Sequence, residues 1–183
     1  MFSLVFTRRY SMAHRLISGG STKCATPHGH NEFVTVTLQA VTPKPLDGHV
    51  NMVETFERAK STWHRWIDNC VDHCLQLSDS DGLLDWFRAH EPEQLQRILI
   101  TPGDPTTEML ACCFMAKLNT ILAHEGGRLA CVRIEIVETP TNTVTFEGDP
   151  LSVLPFAPPG SVWWLRADDS INDLHRQSVA LTP

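Results

Sequence analysis

Residues 28–38 read HGHNEFVTVTL, and no other stretch constrains the fold of this chain as strongly. Phe33 is followed by Val34, Val36, Leu38 and Ala40 at period two, with Thr35, Thr37 and Gln39 between them. That alternation predicts a strand over about 30–41 with one buried face. In the same extended geometry His28 and His30 project to one side, and Gly29 between them leaves the point they share uncrowded. A second strand is predicted in the apolar and aromatic run 2–16, which carries His14 near its end. A hairpin between the two strands brings a third imidazole beside the first pair. Three imidazoles with an open fourth position make the ligand set of a catalytic zinc. Cys24, four residues before His28, leaves a second possibility, a closed structural site with the thiolate as fourth ligand. Histidines that simply occupy a strand and a turn are the plainest alternative, and the third histidine weighs against it.

The prolines and glycine at Pro43, Pro45 and Gly48 break the chain before an amphipathic helix. From Val53, the residues Phe56, Ala59, Trp63, Trp66, Ile67 and Cys70 recur at helical spacing, and the helix is expected to end near Asp72-His73. Residues 78–103 carry Ser/Asp/Gly punctuation and two short helix-like runs, and they read as an insertion. Pro105 is expected in the first turn of a second long helix, with Glu108 near its positive end. Its apolar face is Leu110, Cys113, Phe114, Leu118, Ile121 and Leu122, and Gly126-Gly127 ends it. Residues 129–137 and 142–147 then read as a hairpin. The expected fold is α+β, in the order β-β-α-α-β-β, with a four-stranded antiparallel sheet and helices on one face. One domain over 1–148 is followed by an extension, 149–183, whose Trp163-Trp164 pair is expected to pack against a neighbouring subunit. An open sheet has two edges that invite pairing with other chains, so a homo-oligomer is expected.

Charge and cysteine usage narrow the partners. A net charge of −6 and a pI near 5.8 argue against nucleic acid and anionic membrane, which call for a basic face. No run approaches the length of apolar chain that spans a bilayer, and no signal segment is evident. The six cysteines are scattered, which suits reduced thiols and a cytoplasmic location.

Five motifs occur in order: A-H-R-L (13–16), C-x3-H-G-H (24–30), D-H (72–73), P-T-T-E (105–108) and V-E-T (137–139). Together they resemble the 6-pyruvoyl-tetrahydropterin and 6-carboxy-tetrahydropterin synthase family over roughly residues 2–148. The resemblance implies a tunnelling fold, in which three subunits close a twelve-stranded barrel and two trimers stack, with active sites between subunits. It implies zinc held by His14, His28 and His30, a catalytic thiol at Cys24, and a second proton carrier at Asp72-His73. It also implies a pterin anchor at Glu138, with Thr106, Thr107 and Glu108 lining the pocket. The substrate so implied is 7,8-dihydroneopterin triphosphate. The three-residue spacer between Cys24 and His28 resembles the bacterial type that forms 6-carboxy-tetrahydropterin, a precursor of deazapurine nucleosides such as queuosine, with release of triphosphate and acetaldehyde. The animal type, which forms 6-pyruvoyl-tetrahydropterin, tends to have a longer loop there.

Alternatives stand beside these assignments. Helix-terminal His73 is also what a helix dipole favours, Cys70, His73 and Cys74 would form a helical metal cluster, and Thr106 and Thr107 are ordinary helix caps. The family branch that forms 6-hydroxymethyl-dihydropterin typically has Glu in place of the cysteine, so Cys24 argues against it. A catalytically silent homologue that binds pterin or metal is disfavoured by the joint presence of Cys24, Asp72, His73 and Glu138. Two departures from the family pattern are Thr55, where Asp is usual before the first helix, and Phe146, where Tyr is frequent.

Overall fold

The structure is a computed structural model that describes residues 2–43 and 45–174; residues 175–183 of the expected extension lie outside the described residues. In chain order, β1 (Ser3–His14) leads through one helical turn, α1 (Thr22–Ala25), to β2 (His28–Ala40). Helix α2 (Phe56–Trp66) continues as a π-helical turn, Ile67–Val71, into β3 (Cys74–Ser78). Then come α3 (Leu83–His90), β4 (Ile98–Thr101), α4 (Thr107–His124), β5 (Leu129–Thr139) and β6 (Asn142–Glu147).

The sheet order is β4-β3-β1-β2-β5-β6. Its centre is the expected antiparallel set: β1 lies on β2 from Ser3↔Gln39 to His14↔His28, β5 lies on β2, and β6 on β5. Two further strands, β3 and β4, are added in parallel on the β1 side. They come from the end of the first helix and the segment read as an insertion. At five and four residues, with no alternation, neither run carries a legible strand period. The run EPEQLQR forms a 3-10 turn over Pro92–Arg97.

The helices cover one face of the sheet. Val34, Val36, Leu38, Ile134 and Ile136 meet Trp63, Trp66, Leu110, Phe114 and Leu118 in one core. Helix α2 is capped by Thr55, whose hydroxyl accepts from the Arg58 amide, so the residue that departs from the family pattern still serves as a helix cap. Thr106 caps α4 in the same way, accepting from Met109 N–H. Pro105 therefore lies just outside the helix, not in its first turn.

The extension does not reserve its tryptophans for a neighbour. Trp163 is fully buried in its own chain, stacked on Trp66 at 6.0 Å, and its Nε1 donates to the Ile100 carbonyl at 2.7 Å. The Ile100 amide donates to Ile171 O, and Asn172 Nδ2 donates to Leu95 O and Ile98 O. The extension thus folds onto the edge of β4 and onto α4. There Lys117, fully buried, donates to the carbonyls of Trp163, Asp168 and Ser170. Burial lowers this lysine to about 8, against the pull of Asp168. The periodicity of α4 marked a single apolar face, but the extension covers the other side and buries most of the helix.

Candidate active site

His14 ends β1, His28 begins β2, and the two are direct partners in the strand register. His30 is two residues further along β2 on the same face. The three rings gather with centroids 4.6, 5.2 and 5.1 Å apart, and one nitrogen from each falls within 4.8 Å of the others. His14 Nδ1 lies 3.1 Å from Pro105 O, and His28 Nδ1 lies 2.8 Å from Thr26 O. A carbonyl only accepts, so both Nδ1 atoms carry the proton and both Nε2 atoms present lone pairs. Those two Nε2 atoms lie 3.1 Å apart, close to the spacing of about 3.4 Å that tetrahedral zinc–nitrogen bonds of about 2.1 Å require. Burial, reinforced by the other two imidazoles, lowers the His14 pKa against the Pro105 bond, which keeps it in the neutral form that binds a metal. The donor set fits a divalent cation. Among the described residues no sulfur joins it. Gly29 has a different role from the one expected: a Cβ there would lie 2.6 Å from the Met12 carbonyl, so the close approach of β1 and β2 requires glycine.

Cys24 sits in α1, half-buried. Ser21 caps that turn and its hydroxyl donates to Cys24 Sγ at 3.3 Å. The Leu16 amide donates to Cys24 O at 2.8 Å, which closes the loop back onto the end of β1.

Thr106, Thr107, Glu108 and Glu138 line a single open cleft of about 460 Å³. Leu16, Thr141 in the turn before β6, and the β6 residues Asn142, Thr143 and Val144 complete its wall. Glu138 stands at a bulge in β5, where the pairing with β6 skips from Val137 to Thr139, and its charge reaches His14. The cleft and the imidazole cluster therefore share one end of the sheet.

Asp72 and His73 are not brought into that cluster within one chain. Asp72 Oδ1 accepts from the Ser11 amide and Oδ2 pairs with His73 Nδ1 at 2.9 Å. Burial pushes the Asp72 pKa up, but the Ser11 amide and His73 outweigh it and hold the group below its ordinary range. His73 adopts φ 63° and donates its amide to Ser11 O, which anchors the pair three residues before His14, roughly 10 Å along the strand. The imidazole is 76% exposed. Cys74 lies in β3, so the helical cluster with Cys70 and His73 does not form.

The model of the 6-pyruvoyl tetrahydropterin synthase family matches residues 3–149. This chain belongs to that family. A probable 6-carboxy-5,6,7,8-tetrahydropterin synthase of Halobacterium salinarum is 29% identical over 135 residues, covering 74% of this chain and 79% of that protein. The 6-carboxy-5,6,7,8-tetrahydropterin synthase of Rickettsia bellii is 28% identical over 136 residues, covering 73% and 93%. The structure of the Caenorhabditis elegans 6-pyruvoyl tetrahydropterin synthase superposes with a TM-score of 0.54 at 23% identity, covering 81% of this chain and 96% of that one, which shows the shared fold.

Within this tetrahydropterin synthase frame, two groups carry no motif in the sequence, one buried and one near the surface. Glu32, two residues after His30 on the inward face, is fully buried and accepts from Tyr10 Oη. Burial raises its carboxyl to about 7, opposed by Tyr10 and reinforced by Glu138. The signal was present, since Glu32 continues the period of His28 and His30. Asp104 accepts the amides of Ile17, Ser18 and Gly19; a lone aspartate before a proline carries no such signal.

Proposed function

We propose that the chain is a zinc-dependent 6-carboxy-5,6,7,8-tetrahydropterin synthase that converts 7,8-dihydroneopterin triphosphate, releasing triphosphate and acetaldehyde. The observation that carries this reading is the meeting of the three-imidazole cluster with the cleft of Thr106, Thr107, Glu108 and Glu138 at one end of the sheet. The three-residue spacer after Cys24 and the two relatives named for the carboxy product support it over the pyruvoyl product.

His14, His28 and His30 would hold the zinc, with the carbonyls of Pro105 and Thr26 orienting two of the rings. Zinc in that position supplies Lewis acidity to the side-chain hydroxyls of the substrate. Glu138 accepts from the 2-amino and N3–H groups of the pterin, two parallel donors that suit a carboxylate. Cys24 takes a proton from the side chain. Asp72 and His73 serve from a neighbouring copy. Strand β1 pairs with β3 only from Met12 to His14, leaving its edge from Ser3 to Tyr10 open to the β6 of another chain. The cleft is lined by β6 residues, so that pairing sets the exposed His73 of one copy near the cleft of the next. A trimer closed in this way, alone or stacked in pairs, is the assembly proposed.

Mass spectrometry of an anaerobic reaction with an acetaldehyde trap tests the product. The expected result is 6-carboxy-tetrahydropterin with trapped acetaldehyde. Stoichiometric 6-pyruvoyl-tetrahydropterin without acetaldehyde would overturn the carboxy assignment.

A further inference from the structure

We infer that Asp104 is a positioning residue for Cys24, holding the loop that carries the thiol by the backbone amides of Ile17, Ser18 and Gly19. The inference rests on the reading of Cys24 as the proton-handling thiol. The three bonds to the carboxylate measure 2.9, 2.8 and 3.0 Å, and hydrogen bonds of amides to an ionised acceptor are the stronger kind. Burial pushes the Asp104 carboxyl up, but the three amides outweigh it and hold the group below its ordinary range.

The loop has little else to fix it. Residues 17–23 are all exposed, so no core packing determines their course, and hydrogen bonds must. From the segment held by Asp104 the contacts run on to the thiol without a gap. Leu16 donates its amide to Cys24 O. Gly20 packs so closely that a Cβ there would lie 2.7 Å from Cys24 Cβ and 3.0 Å from Leu16 Cβ. Ser21 caps the turn and donates to Sγ.

The segment that holds the loop also holds the other two parts of the site. Asp104 O accepts from the Thr106 amide, Pro105 O meets His14 Nδ1, and Thr106 lines the cleft. Three consecutive residues therefore set the thiol loop, a metal ligand and the pterin wall relative to one another. Of the three links, only the one through the Asp104 side chain can be cut by a substitution without touching ligand or cleft. Misplacing a reacting group by about 1 Å costs up to about a hundredfold in rate, so a loop of this kind needs a fixed anchor.

The test uses Asp104→Ala and Asp104→Asn in the full chain loaded with zinc. The readouts are zinc content, melting temperature, kcat and KM, and the pH profile of Cys24 alkylation by iodoacetamide, followed on its own peptide so that Cys70 is counted separately. The expected result for Asp104→Ala is unchanged zinc, a kcat lowered about tenfold or more with KM nearly unchanged, and an altered alkylation profile. Asp104→Asn, which keeps one acceptor oxygen, should fall between. Wild-type kcat and a wild-type alkylation profile in both variants would overturn the inference. So would a joint loss of zinc and melting temperature in both, which would make the residue structural. Full activity in Cys24→Ala would sink the thiol's assigned role instead, and the alkylation readout keeps the two failures apart.

Discussion

His14 Nε2 and His28 Nε2 point at each other across 3.1 Å, each fixed by a carbonyl on the opposite side of its ring. Two lone pairs held so close repel unless a cation lies between them, and His14 is buried, at 2% exposure, where water cannot relieve the contact. Two Nε2 lone pairs placed in this way suit a divalent cation between them.

The expected metal content is therefore about one zinc per chain. His28→Ala and His30→Ala should each lose it, because two imidazoles rarely hold zinc firmly. Elemental analysis of the purified variants checks this, and full metal content in either would remove that residue from the ligand set.

Cys24→Ala should keep both zinc and fold while turnover falls by a factor of about 10² or more. The thiol lies outside the group of converging nitrogens, so its loss takes no ligand away. Zinc lost together with the sulfur would return Cys24 to the role of fourth ligand.

The antiparallel heart of the fold was legible because β2 alternates cleanly, because β5 alternates except for a register shift at Val132, and because His28 and His30 share a strand face. The same period, applied two residues further, would have revealed Glu32. What the sequence could not display was whatever depends on contacts distant along the chain. Strands β3 and β4 are too short to show a period. Trp163 looked like an exposed anchor, because nothing in its neighbourhood announces Trp66, 97 residues earlier. Asp72-His73 was readable as a motif, but its separation from the imidazoles follows from its anchorage at Ser11, which only the folded chain shows.

Glu138→Gln should weaken pterin binding by about 1.5–3 kcal/mol, the worth of a hydrogen bond to a charged group. The substituted amide offers one acceptor where the carboxylate offers two, and turns a donor toward a donor. Titration with a pterin analogue measures the change, and unaltered affinity would take Glu138 out of the site.

Asp81, with its side chain fully enclosed, accepts Arg15 Nε at 2.7 Å and the Leu83 amide. Burial pushes its pKa up, but Arg15 and the amide prevail and the group ends below its ordinary value. A carboxyl depressed by folding contributes stability above the unfolded pKa of about 3.9 and loses it as pH falls through the folded value. Asp81→Asn should therefore be less stable than wild type at pH 7, by about 1.5–3 kcal/mol, the worth of a hydrogen bond to a charged group. The two proteins should converge as pH falls through that lowered folded value, below which wild type also carries a neutral group. Denaturation midpoints across pH would show the convergence; a gap that stays constant would mean that Asp81 acts by shape and not by charge.

Trp163 closes the argument over the extension. It stacks on Trp66, donates to Ile100 O, and its own carbonyl accepts from Lys117, so its loss leaves a cavity beside a buried lysine. Trp163→Ala should cost about 3–5 kcal/mol, or roughly 10 °C in melting temperature for a chain of this size. Trp163→Phe keeps an aromatic ring but loses the N–H and part of the indole's volume, and should cost less than the alanine change, about 1 kcal/mol for the bond plus a smaller cavity. Because these contacts lie within one chain, the loss should be the same at every protein concentration. A melting shift that shrinks as the protein is concentrated would show that the indole serves a contact between subunits, contrary to the packing seen here.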